Sequence, residues 1–310
     1  MPTTREPLIR NWTPEAIPDL AGRRYVITGG NSGIGFEAAK LLAQRNAEVV
    51  IACRNEAKGK AALAKLIDLG EGTCELLVMD LADSASVRAA AKEAKERFGT
   101  FSALINNAGV MQTPKQKTAD GYEMQLGTNH LGHFLWSALM IRRVDPWEGR
   151  IVTVASIVHK LGRIDFDNLM MERGYDATRS YSRSKLANLM FALELDRRLK
   201  AAGSRIKSVA CHPGYSDTSL QTSGPSFPLK LMYTFSNALI AQPADLGAYP
   251  TALAATDDRA VSGGYYGPTG LFDARGPVGD ALVEKRAKNE SAAQKLWEVS
   301  EQLVAETFVV

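Results

Sequence analysis

Tyr181 and Lys185 stand four residues apart in a stretch with the apolar spacing of a helix, so both side chains leave one face of it. An ammonium about 4 Å from a phenol, at an effective dielectric near 20, contributes roughly 4 kcal/mol, enough to draw a tyrosine from about 10 toward about 7 before burial opposes it. Such a phenol can exchange a proton with an oxygen at neutral pH. Ser156 ends the β-branched run that begins at Arg150 and offers a hydroxyl to an oxygen on which charge develops. Asn129, in the run Asn129-His130-Leu131-Gly132-His133-Phe134, adds an amide. Each residue also has a plain structural reading: a surface cation–aromatic contact, a turn serine, a helix-interior amide on a backbone carbonyl. Ser156 lacks the G-x-S-x-G elbow of acyl transfer, and His130 and His133 lack partners at zinc spacing, so the sequence predicts neither that chemistry nor a metal site.

A second constellation lies upstream. Thr28-Gly29-Gly30-Asn31-Ser32-Gly33-Ile34-Gly35 joins an apolar run to a helical pattern. Glycines there allow a tight turn and a close backbone approach to a pyrophosphate, which the amides and dipole of the helix N-terminus stabilise. NAD-binding folds place a carboxylate about 20 residues further on, against the ribose hydroxyls. Here that strand end reads Cys53-Arg54-Asn55, with no acid; a guanidinium pairs with a 2′-phosphate, which predicts NADP(H).

The elements that must hold these residues alternate. Candidate strands run Arg24 to Thr28, Val49 to Ala52, Glu75 to Met79, Ala103 to Asn106, Arg150 to Ala155 and Ile206 to Cys211, with a last short one near Tyr265. Helical patterns run Gly33 to Gln44, Asn55 to Leu69, Ser84 to Phe98, Glu123 to Ile141, Ser182 to Ala202, Ala244 to Ala254 and Ser291 to Ala305. The near-continuous apolar strands imply a parallel sheet covered on both faces, an α/β, doubly wound Rossmann-type fold. We expect one such domain over residues 22–310, after a polar N-terminal arm at 1–21 with a short turn capped by Thr13 and opened by Pro14. Two segments break the rhythm, Lys160 to Arg179 and the apolar stretch at 219–241, and both are expected to wall or cover the ligand crevice. Val110, Met111, Val158, Leu161 and Tyr215 would make the rest of that wall apolar, which predicts a lipophilic substrate.

Composition removes other classes. The chain has 310 residues, with 37 Lys and Arg against 34 Asp and Glu, a net charge of +3 that gives no footprint for nucleic acid. Its first 20 residues carry no apolar core of a signal peptide, and no run approaches the length needed for a membrane span. Cys53, Cys74 and Cys211 are odd in number and widely spaced in apolar surroundings, which predicts buried free thiols and a cytoplasmic location.

The glycine spacing, TGxxxGxG, resembles that of the short-chain dehydrogenase/reductase family, and the resemblance recurs along the chain. Asn106-Asn107-Ala108-Gly109 is similar to the family's NNAG element; Asn129, Ser156, Tyr181 and Lys185 follow in family order; Pro213-Gly214 through Thr218 resembles its PGxxxT motif. Ala52-Cys53-Arg54-Asn55 and His159 resemble the retinol-dehydrogenase-like branch more closely. The resemblance implies that Gly29, Asn31, Ser32, Gly33, Ile34, Gly35, Arg54, Asn55, Asp80, Leu81, Asn107, Ala108, Gly109, Pro213, Gly214 and Thr218 lie along the cofactor. Asp80 and Leu81 would then meet adenine, although an N-cap role for Asp80 or Asp83 stays open. Lys185 would also hold the nicotinamide ribose, and Asn129 a water that links Lys185 to solvent. Met111, Ser156, His159, Tyr181 and Tyr215 would meet substrate. The implied activity is NADP(H)-dependent interconversion of a lipophilic alcohol with its ketone or aldehyde. A catalytically silent cofactor binder and an epimerase or C=C reductase on the same fold stay open. So does a homo-oligomer paired through the two long helices.

Overall fold

The computed structural model describes residues 9–69, 72–214, 243–270 and 273–310. Its sheet has the order β3-β2-β1-β4-β5-β6-β7-β8. The strands are β1 (Arg24–Thr28), β2 (Glu48–Cys53), β3 (Thr73–Val78), β4 (Ala103–Asn106), β5 (Arg150–Val154), β6 (Lys207–Cys211), β7 (Tyr265–Pro268) and β8 (Val278–Asp280). The first seven are parallel, and β8 runs antiparallel to β7. The order reverses direction between β1 and β4, and the crevice at such a switch point is where doubly wound folds bind ligands.

Both faces of the sheet are covered, as the apolar strands require. Tyr25 and Ile27 of β1 pack toward α1 (Gly33–Ala43) and α7 (Ala244–Thr256), with α2 (Glu56–Ile67) on the same face. Val26, one residue out of phase, points to α3 (Ser84–Arg97) and α5 (Gly132–Met140) on the other. On that second face α6 (Ala177–Ala201) is covered in turn by α8 (Glu290–Val304). Trp297 of α8 stacks on Phe191 of α6 at 5.7 Å, meets Phe134 of α5 edge-on at 5.0 Å and lies 4.7 Å from Phe308. On the two helices that the resemblance offered for pairing, Phe134 and Phe191 are thus covered within the chain itself.

Several expectations change. Within the expected polar arm, the described residues from 9 onward bury Ile9, Trp12, Ile17 and Leu20 in the core. Trp12 N–H bonds Val278 O at 2.9 Å and its indole N–H reaches Asp257 at 2.8 Å, so this segment extends the sheet beyond β8, a strand that sequence periodicity misses. Thr13 takes the N-cap place of the turn Pro14–Ala16 without a side-chain bond. The continuous helix expected from Glu123 to Ile141 is instead α4 (Met124–Leu126), a π turn (Gly127–Leu131) and α5. Helix α6 begins at Ala177, five residues before the expected start, because Asp176 caps it by accepting from Arg179 N–H. Cys53 and Cys211 are buried free thiols as expected, whereas Cys74 is only half-buried, on an edge strand. No described helix is long and apolar enough to cross a membrane.

Candidate active site

Strand ends bring the predicted residues to one side of the sheet. Parallel pairing carries the chain past Val154 to Ser156, and Ala155 N–H still bonds Cys211 O at 2.8 Å, so Ser156 leaves the sheet at its carboxyl edge. Ser156 then caps the 3-10 turn Ile157–Leu161, its Oγ accepting from Val158 N–H at 3.4 Å. The Ser156 carbonyl accepts from His159 N–H at 3.0 Å and from His159 Nδ1 at 2.6 Å. The His159 ring is fully buried against Tyr265, edge-on at 5.5 Å, so the structure sets it beneath Ser156.

Helix α6 packs along β5 and presents Tyr181 and Lys185 on one face. Lys185 is buried, and its ammonium donates to Val154 O at 3.0 Å, a carbonyl that Asn188 of the next turn also bonds at 3.2 Å. Burial lowers the ammonium from its usual 10.5 to about 8. Its nitrogen lies 5.9 Å from the centre of the half-buried Tyr181 ring. Asn129, on the π turn, is held at every polar atom of its side chain. Its Oδ1 accepts from Val110 N–H at 2.7 Å, and its Nδ2 donates to Val110 O and to Ser184 Oγ, both at 2.9 Å. A Cβ at Gly109 would sit 3.1 Å from Asn129 Oδ1 and 3.7 Å from Lys185 Nζ, so the loop after β4, Asn129 and Lys185 converge. Asn129 thus matches the structural alternative for its side chain, and only its main-chain carbonyl faces a further partner, His133 Nδ1 at 2.9 Å.

The upstream residues form a cradle. Gly29 and Gly33 take φ of +67° and +54°, in the region that favours glycine. A Cβ on Gly35 would lie 2.4 Å from both Gly29 O and Asn107 Nδ2, which closes the turn tightly against the loop after β4. Asn107 Nδ2 in turn donates to Thr28 O at 2.8 Å, and Asn107 and Ala108 N–H both bond Thr28 Oγ1. Ser32 is the N-cap of α1 yet makes no side-chain bond to the first turn, and with Asn31, Gly33 and Ile34 it stays at least partly accessible. A helix N-terminus with no side-chain cap fits a bound pyrophosphate. Arg54 is exposed at the carboxyl end of β2, whereas Asn55 spends its side chain capping α2 through Lys58 N–H. Asp80 also turns inward, to Ala82 N–H, and Leu81 is buried, while Asp83 caps α3. Gly214, at φ +71°, and Pro213 follow β6; Tyr215, Thr218 and the expected lid at 219–241 lie outside the described residues. Met111 is half-buried beside Gln112. These residues fit a nicotinamide dinucleotide. Sequence reasoning missed Ser184, the Val154 carbonyl and His133; the last has a signal, standing four residues after Asn129 on a helix.

A doubly wound sheet with a glycine cradle at its switch point and a serine, tyrosine and lysine at its carboxyl edge defines a dinucleotide-dependent oxidoreductase. The family model for short chain dehydrogenases matches residues 23–226, and the chain belongs to that family. Human Retinol dehydrogenase 11 is 41% identical over 285 residues, covering 91% of this chain and 85% of that one. Human Retinol dehydrogenase 12 is 37% identical, covering 92% and 87%. Among solved structures, an uncharacterized protein from Mycobacterium paratuberculosis is similar at a TM-score of 0.81 and 40% identity, over 97% of this chain and all of that one. A short chain dehydrogenase from Burkholderia cenocepacia in complex with NADP is similar at 0.63 and 27% identity, covering 80% and 96%.

Proposed function

We propose that this chain is an NADP(H)-dependent oxidoreductase that interconverts a lipophilic alcohol with its ketone or aldehyde. One observation carries the chemistry: Lys185, buried between α6 and the end of β5, holds its ammonium under the Tyr181 ring on the side of the sheet where Ser156 emerges. The cofactor, when bound, supplies or accepts the hydride. Ser156 Oγ holds the substrate oxygen, Tyr181 gives that oxygen its proton or removes it, and Lys185 favours the phenolate by its charge. The Asn129 turn keeps Lys185 and the loop after β4 in register. Arg54, with no acid at the end of β2, supports a 2′-phosphate partner, and the NADP complex of the Burkholderia relative agrees with that choice. The retinol dehydrogenase names of the relatives support a bulky apolar substrate, as do Val110 and Met111 beside the site.

NADPH absorbance, followed over ketones and aldehydes of increasing apolar size, tests the reading. We expect kcat/KM to rise with size; a flat trend, or a preference for small charged carbonyls, contradicts the lipophilic substrate. NADPH should bind at least about tenfold more tightly than NADH, and Arg54→Ser should remove most of that margin. Equal dissociation constants in the unaltered protein would reject the cofactor choice.

A further inference from the structure

His133 is buried, four residues after Asn129, and its ring is bonded at both nitrogens. Nδ1 faces the Asn129 carbonyl at 2.9 Å, an acceptor only, so Nδ1 carries the hydrogen. Nε2 lies 2.7 Å from Thr28 Oγ1 and must then accept from that hydroxyl. Both acceptor positions of Thr28 Oγ1 are taken, by Asn107 N–H at 2.9 Å and Ala108 N–H at 3.0 Å. Both lone pairs of the hydroxyl are thus used, and its hydrogen has His133 Nε2 as the near acceptor, with Ile105 O further off at 3.4 Å. A second proton on the ring would set an N–H against an oxygen with no free lone pair. Burial, with the Lys185 charge nearby and against the bond to Asn129, holds the imidazole down at about 4, which agrees with a neutral ring.

We propose that His133 is a positioning residue that ties the cofactor cradle to the catalytic turn, its imidazole fixing the Asn129 carbonyl relative to Thr28 and the Asn107–Ala108 amides. Asn129 lies on the π turn Gly127–Leu131, where the helical register changes, and in turn holds Val110 and Ser184. One ring therefore joins the end of β1, the loop after β4 and the turn that abuts Lys185. A shift of the cradle is transmitted to the proton-transfer side of the site through two hydrogen bonds.

This deepens the proposed function and rests on it. The test compares the unaltered protein with His133→Phe, which keeps a ring and loses both bonds, and with Thr28→Val and Thr28→Ser. Each is measured for NADPH dissociation constant, for kcat and carbonyl KM, and for the pH profile of kcat. We expect His133→Phe to lower kcat at least about tenfold and weaken NADPH at least about threefold, with carbonyl KM changed less than about twofold and the alkaline limb of the kcat profile displaced. Thr28→Val should reproduce much of that loss and Thr28→Ser regain it. The double variant His133→Phe/Thr28→Val should lose less than the product of the two single losses, because both cut one linkage, while Thr28→Val also strips the Asn107 and Ala108 amides of their acceptor. A folded His133→Phe with unaltered kcat, pH profile and NADPH affinity overturns the proposal, as do losses that simply multiply. Should His133→Phe fail to fold by circular dichroism, the Thr28 pair decides: equal behaviour of Thr28→Val and the unaltered protein overturns it. If the unaltered protein binds NADPH but reduces no carbonyl, the proposed function fails instead. The linkage is then judged on NADPH affinity alone, with an unchanged value in His133→Phe counting against it.

Discussion

Lys185 shows how a site residue can work against the fold that holds it. Its ammonium falls from 10.5 to about 8 because it is buried, with the Val154 carbonyl as its hydrogen-bond acceptor. Below about pH 8 the folded and unfolded chains both carry the charge, and the folded one bears the full expense of keeping it dry. Between about 8 and 10.5 the folded chain sheds the proton first, and the penalty fades. The difference corresponds to about 3 kcal/mol. Lys185→Met should therefore raise the melting temperature of the cofactor-free protein at pH 7 by about 5 °C or more, a gain that shrinks toward pH 10.5, while turnover disappears. A melting temperature at or below that of the unaltered protein at pH 7 would show that the lysine is not under strain. Tyr181→Phe separates the two partners: we expect loss of nearly all turnover with NADPH affinity kept, and near-normal turnover would take the phenol out of the proton path. Tyr181, Lys185 and Ser156 were legible because their spacing is local and their chemistry specific. His133 was legible only in its spacing, four residues after Asn129; its link to Thr28 was not, because the two lie 105 positions apart.

At the scale of elements, the seven parallel strands could be read because burial on both faces leaves apolar runs that few other structures need. Strand β8 could not, since Val278-Gly279-Asp280 is three residues long, and what makes it a strand is its pairing with β7 and with Trp12. The break in the helix after α4 was also hidden, because residues 125–137 are buried on every face and no one-sided apolar stripe records the change of register. Gly132 marks where that break closes onto α5: a Cβ there would lie 2.4 Å from Leu81 O, which is backbone. Gly132→Ala should thus push α5 off the segment after β3 and destabilise the protein by about 2 kcal/mol or more, read as a lower urea midpoint at unchanged slope. An unchanged midpoint would mean that this junction has slack.

At the scale of the whole molecule, the N-terminal segment closes one edge of the sheet. Trp12 is buried, and its indole donates to Asp257, which also bonds Arg259. Burial alone would raise the Asp257 carboxyl, but the bonds and charge of Arg259, with Trp12, outweigh it and hold the group below its ordinary 3.8. The stabilisation this yields is present above about pH 4 and is lost as pH falls through the lower folded value. Trp12→Phe, which removes one donor, should therefore move the midpoint of acid unfolding upward; an unmoved midpoint would assign the whole effect to Arg259. That Ile9 and Trp12 belong to the core was invisible in sequence, because they meet Asp280 and Val278 about 270 positions later.

The aromatic cluster on the second face has a consequence for the chain while it is being made. Phe134 and Phe191 are in place early, but the rings that cover them, Trp297 and Phe308, follow about a hundred residues later. At roughly 5–20 residues per second, a ribosome leaves that apolar face uncovered for on the order of ten seconds. Until α8 emerges and Trp297 covers Phe134 and Phe191, that face of the nascent protein is open to whatever binds exposed aromatics during translation.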